Sequence, residues 1–152
     1  MSIIELEIRP KEGLSSLLFG ASMQAAENCF GKAQEKEDLE GTEEYKTIIW
    51  HYWEQGFSLF FDENENMRFS CVEIDNVNAV LWKKKIFEMK EEEIIHLFKS
   101  KGFVELETEA HEWGERRVSF DDALVDLYFE GKDLVSINYG ALVDKKLFIF
   151  PN

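Results

Sequence analysis

The chain has 152 residues, 45% of them hydrophobic and 14% aromatic, and carries a formal net charge of −14. That length makes one ordinary domain (1–152) able to bury roughly 68–70% of its unfolded surface, and the apolar content excludes global disorder. So acidic a surface excludes nucleic-acid and anionic-lipid partners, which need Lys and Arg to neutralise phosphates, and instead attracts a basic protein.

The N-terminal segment MSIIELEIRPKEG lacks a basic region followed by an apolar run, so it does not read as a secretory signal. No window approaches the roughly 18 uncharged apolar residues of a membrane span. Cytoplasmic placement is the expectation. Cys29 and Cys71 are the only cysteines and read as reduced thiols; no Cys/His spacing matches a zinc site.

IIELEI (3–8) alternates as a strand does. Ser22 is placed to cap a helix through Met23, Ala26, Cys29 and Phe30, which share one apolar stripe, and Gly31 closes it. The stretch EKEDLEGTEEY (35–45) carries seven charged residues, six of them acidic, and reads as a solvated loop. Three strands follow, TIIWHYW (47–53), GFSLFFD (56–62) and MRFSCVEID (67–75), with turns at Glu54-Gln55 and Asn64-Glu65-Asn66. LWKKKIF (81–87) reads as a short strand or connector.

EMKEEEIIHLFKSKG (88–102) is the clearest helix. Glu91, Glu92 and Glu93 open it, Lys99 and Lys101 close it, and Gly102 follows, the charge order that suits a helix dipole. Strands are expected at 103–108, 115–120, 123–129, 134–140 and 146–150, with a hairpin turn at 130–133.

The segments 17–76 and 84–140 read alike: helix, glycine, then an antiparallel meander. Phe19 answers Phe87, Gly31 answers Gly102, and FSLFFDENENMRFSCVEI answers ALVDLYFEGKDLVSINY, at offsets of about 68, 71 and 63–68 residues. The expected fold is therefore α+β. It is an antiparallel sheet with two helices on one face, made by tandem duplication of a helix-plus-β-meander unit.

The run FGASMQAAENCFGKAQ followed by WHYWEQGFSLFFD resembles the helix-then-hairpin unit of the outer-membrane assembly lipoproteins and the β-lactamase inhibitory proteins. The likeness covers residues 18–75 and, more loosely, 86–140. It implies a bacterial binding module that presents an aromatic sheet face. The chain departs from those families in having no lipidation cysteine and no disulfide framework, so anchoring and β-lactamase binding do not carry over.

Chemistry-bearing patterns are few. DENENMRFSCVE (62–73) puts Asp62, Asn64, Asn66 and Glu73 at calcium-loop positions, but Met67 stands where glycine is required. A polar hairpin turn is the simpler reading, and no metal or cofactor is expected. His51, His96 and His111 are the available bases, and no nucleophile motif accompanies them; no catalytic residue is assigned.

The stretch IIWHYWEQGFSLFF (48–61) holds nine aliphatic or aromatic residues on both strand parities, whereas a half-buried strand needs only one. Trp50, Tyr52, Trp53 and His51 are the candidate partner-binding residues, since Trp and Tyr make interface anchors. The function expected is non-enzymatic binding of a basic protein, immunity- or inhibitor-like. The competing readings are a homodimer through the aromatic face, and a small-molecule binder or enzyme with a pocket between the halves.

Overall fold

The computed structural model describes residues 6–42, 45–62, 67–110, 114–144 and 147–149. Short strands β1 (Glu7–Arg9), β2 (Gly13–Leu14) and β3 (Leu17–Leu18) lead into helix α1 (Met23–Phe30). A meander follows: β4 (Glu35–Thr42), β5 (Tyr45–Tyr52), β6 (Phe57–Asp62) and β7 (Arg68–Ile74). The hairpin β8 (Val80–Leu81) and β9 (Lys84–Lys85) then leads through a 3-10 turn (Ile86–Glu88) to α2 (Glu91–Ser100). A second meander, β10 (Leu106–Ala110), β11 (Glu115–Phe120), β12 (Val125–Glu130) and β13 (Asp133–Gly140), is followed by β14 (Leu142–Asp144) and β15 (Leu147–Ile149).

The class is α+β, and its sheets are mostly antiparallel. The large sheet runs β10-β11-β12-β13-β7-β6-β5-β4, so the two meanders join through their last strands. Ile74 faces Ile137 and Val72 faces Tyr139 across that antiparallel seam. A smaller sheet, β3-β2-β1-β8-β9, is parallel only at β1–β8, and β14 pairs with β15.

Local chemistry accounts for the helix ends. Ser22 Oγ accepts from the Ala25 amide at 3.1 Å, and Gly31, at φ 81°, returns its N–H to Glu27 O at 2.7 Å. In α2 the Glu93 carboxylate accepts from the Lys90 amide at 2.9 Å, the return half of a capping box. Arg116 of β11 forks onto the Glu91 carboxylate, tying the first turn of α2 to the sheet.

One parity of the large sheet packs into a single core. Trp50, Tyr52, Phe57, Leu59, Phe61, Val72, Ile74, Val118, Phe120, Leu127, Ile137 and Tyr139 are all buried there. Phe30 of α1 meets Phe57 edge-on at 4.8 Å, and Phe98 of α2 stacks on Phe120 at 4.5 Å.

Several segments differ from the sequence reading, each for a physical reason. Residues 35–42 are a strand, not a solvated loop: β4 lies at the sheet's edge, where charged side chains reach water while the backbone pairs with β5. The strand expected at 103–108 begins three residues later, because Asp122 holds the Val104 and Glu105 amides at 2.8 and 3.2 Å. Residues 81–87 split into a hairpin and a 3-10 turn, with Trp82 and Lys83 both at positive φ. Of the segment 3–8, residues 7–8 lie in β1 and residues 3–5 fall outside the described residues, as do Asn64, Glu65, Asn66 and His111.

Candidate functional site

The opposite parity of the same strands makes the second face of the large sheet. It is built by Glu35 and Glu37 of β4, Ile49 and His51 of β5, and Ser58, Phe60 and Asp62 of β6. Cys71 and Glu73 of β7 and Asn138 of β13 continue it, followed by Asp126 and Tyr128 of β12 and Arg117 and Ser119 of β11. Glu107 and Glu109 of β10 end it, opposite Ser119 and Arg117. Among these residues carboxylates stand on five of the eight strands, and the basic groups on the same face are Arg68, opposite Asp62, Arg117 and His51.

This arrangement sorts the four candidate anchors. Trp50 is 6% exposed and Tyr52 fully buried. Trp50 packs on Phe61 at 4.8 Å, and the Tyr52 hydroxyl donates to Gly31 O at 2.8 Å. Burial pushes the Tyr52 phenol up to about 12. Both therefore belong to the core, out of reach of a partner. His51 and Trp53 lie on the other side. Trp53 is 59% exposed, stacks on the His51 ring at 4.1 Å and donates from Nε1 to Glu35 at 3.1 Å. The two apolar parities of 48–61 thus serve two faces. One goes into the core, while Ile49, Phe60 and Trp53 floor and flank the polar face.

His51 is held at both nitrogens, Nδ1 to Ser58 Oγ at 2.7 Å and Nε2 to Glu37 at 2.9 Å. The connectivity acid–imidazole–hydroxyl is that of a nucleophilic triad. Ser58, however, is buried near the start of β6, with β5 on one side and β7 on the other. The strand is thus paired on both sides of Ser58. The row ties β4, β5 and β6 together across the sheet face. His96 is exposed on α2.

A pocket of about 530 Å³ opens on this face where the two meanders meet, and both contribute to its lining. Thr47, Phe60, Asp62, Ser70 and Cys71 come from the first, and Arg117, Phe120, Asp121, Val125, Asp126 and Gly140 from the second. Its polar groups are oriented. Thr47 and Ser70 both donate to Asp62 at 2.9 Å, and Ser119 donates to Asp126 at 2.6 Å. Arg117 Nη2 reaches out to Glu109 at 2.9 Å, while its Nε–H is buried without a partner.

Ser70 is the extra residue of a bulge in β7: Phe61 faces Phe69 but Phe60 faces Cys71. The bulge lets Phe69 and Val72 both enter the core and turns Ser70 towards Asp62. Burial, reinforced by Asp62, Glu73 and Asp126, pushes the Cys71 thiol up to about 12, so it is a poor nucleophile.

Of these pocket residues, sequence reading singled out only Asp62, as a calcium-loop position. Asp126, Ser119, Ser70, Thr47 and Arg117 escaped it. The available signal is the alternation itself: polar side chains recur at second places in β6, β11 and β12, whose other parity is apolar. Residues 62 and 68 pair across a β6–β7 hairpin, so strands flank the supposed calcium loop. Among the described residues no group of three or more His, Cys, Asp or Glu is placed to hold a metal ion, and no helix is long and apolar enough to cross a membrane.

Comparison with protein-family models, with curated proteins and with solved structures gives no match.

Proposed function

We propose that the chain is a non-enzymatic protein-binding module, inhibitor- or immunity-like, whose second sheet face receives a positively charged partner. One observation carries this reading. The face opposite the core is lined by Glu35, Glu37, Asp62, Glu73, Asp126, Glu107 and Glu109, while of its two arginines Arg117 is turned to Glu109 and Arg68 stands opposite Asp62. On a molecule of net charge −14, such a face steers a basic partner and repels acidic ones. Trp53 supplies an exposed aromatic anchor beside it. The pocket would take a lysine or arginine side chain, with Asp62 and Asp126 pre-set by their hydroxyl donors.

The same reading treats the chain as a tandem duplication with both helices on the core side of one sheet. Three correspondences support it. Each meander has a bulge in its fourth strand, at Ser70 in β7 and Val135 in β13. The buried cross-strand pair His51–Ser58 answers Ser119–Asp126. At the seam Glu73 faces Asn138, with Val72–Tyr139 and Ile74–Ile137 on either side. Those are the pairs a two-fold axis through Glu73 and Asn138 would produce.

The test is affinity capture from the native organism's lysate at low and moderate salt, using wild type, Trp53→Ala and the double variant Asp62→Asn/Asp126→Asn. A stoichiometric basic partner, lost as salt rises and lost with the variants, supports the reading. Capture that ignores both salt and variants would sink it. Recovery of the protein alone as a dimer would point to self-association. The pocket's volume favours one second reading, a small-molecule binder between the halves; a ligand that raises the melting temperature of wild type but not of the double variant would establish it.

A further inference from the structure

β4 ends the large sheet. It pairs with β5 along its length, and among the described residues no strand pairs with its other side. Eight residues of edge leave a row of backbone donors and acceptors able to pair with another chain. Three consecutive side chains fasten this edge to the sheet. Glu35 accepts from Trp53 Nε1 at 3.1 Å, Lys36 Nζ sits 4.6 Å over the Trp50 ring, and Glu37 meets His51 Nε2 at 2.9 Å. The edge is thus pre-ordered, which lowers the entropic cost of adding a strand to it.

Its sequence, EKEDLEGT, selects the strand that can be added. Antiparallel self-pairing about its centre would set Glu37 of each copy against Glu40 of the other, and like charges placed opposite each other destabilise a ladder. The far edge, β10, carries Glu107 and Glu109, so growth of β4 on β10 of a second copy meets the same repulsion. An opposite charge reverses the sign: Lys or Arg on the incoming strand would pair with these carboxylates. Trp53, largely exposed beside Glu35, offers that strand an aromatic surface at one end.

We propose that β4 is a strand-addition site for an extended lysine- or arginine-rich segment of a partner protein. The site is the β4 edge rather than the pocket, although Glu35 and Glu37 also belong to the acidic face, and it holds whether or not the pocket takes a basic side chain.

The probe is a capped octapeptide alternating lysine and threonine. Its control is the same peptide N-methylated at every second residue, with equal charge but no pairing edge. Calorimetric titration at low salt is expected to give at least tenfold tighter binding for the unmethylated peptide. Amide exchange is expected to slow by tenfold or more at the outward-facing amides of β4. Glu35→Lys/Asp38→Lys, with circular dichroism unchanged, is expected to lose at least tenfold in affinity, whereas Glu88→Lys/Glu92→Lys, an equal charge change at exposed positions in and before α2, loses much less. Equal binding of the two peptides would reduce the effect to charge attraction and overturn the proposal. So would protection confined to β10, an equal loss in the Glu88/Glu92 variant, or no binding at all.

Discussion

Trp50 and Trp53 sit three positions apart and do opposite work. Trp50 fills the core against Phe61, and Trp53 lies flat on His51 at the surface. Truncating Trp50 to alanine removes a large buried ring and is expected to cost about 3–5 kcal/mol. Trp53→Ala is expected to cost less than about 1 kcal/mol, since little of its area is buried. Urea denaturation of both variants checks the pair; similar losses would mean that Trp53 is part of the packing. Sequence reading named both tryptophans without saying which turned inward, because Ile49 and Ile48, like Trp50 and Trp53, make either parity a credible core. The deciding partners, Phe30, Phe61 and Phe120, are distant in sequence, and only tertiary packing brings them together.

Glu73 carries a residue-scale prediction of its own. Its carboxyl is raised above the ordinary value of 4.5, first by burial and then by Asp75, with His51 opposing. The folded state therefore holds that proton to higher pH than the unfolded chain does. Stability from this group is fully present below 4.5 and is lost as pH rises through the higher, folded value, the reverse of a salt-bridged carboxylate. Facing it across the seam, Asn138 has a buried Oδ1 with no partner. Glu73→Gln supplies a permanent amide donor there. Melting temperatures measured from pH 4 to pH 8 are expected to fall less steeply in the variant than in wild type. Parallel curves would remove Glu73 from the account.

At the scale of elements, Gly13 shows how a two-residue strand can be indispensable. It stands at φ 155°, and a Cβ there would come within 2.1 Å of Leu17 O in the β2–β3 hairpin. Backbone cannot yield as a flexible side chain would, so Gly13→Ala is expected to cost more than about 1–3 kcal/mol. The Tyr139 hydroxyl, which donates to Gly13 O at 2.9 Å, would be displaced with it. Thermal melting of the variant, with near-ultraviolet circular dichroism for the tyrosine environment, checks both effects. Loss of less than about 0.5 kcal/mol would mean that the hairpin can open at little cost.

This hairpin was illegible in GLSSLL because two-residue strands carry no periodicity. The long elements were legible for the opposite reason. In α2, four apolar residues, an acidic start and a basic end agree. In β5, β6, β11, β12 and β13, alternation and turn residues agree. β4 reads as a loop because its charge density masks strand character, and edge placement is a property of the whole sheet. The bulges at Ser70 and Val135 shift parity by one residue, which a strict period of two cannot show.

For the whole molecule, salt separates folding from binding. A net charge of −14 repels itself, and the acidic sheet face concentrates part of that repulsion. Ions at about 0.15 M shorten the reach of these forces to about 8 Å. Raising NaCl from about 20 mM to about 500 mM should therefore stabilise the free protein, by about 1 kcal/mol or a few degrees in melting temperature. The same change weakens the attraction to a basic partner or a basic strand, so the complex loosens while the isolated protein becomes harder to unfold. Asp62→Asn/Asp126→Asn removes two like charges from the face, so its melting temperature should rise less with salt than that of wild type. Melting curves across the salt series, set beside capture efficiency at the same concentrations, test both signs at once. A free protein whose stability falls with salt would show that its carboxylates are held by intramolecular cations. They would then not be available to a partner.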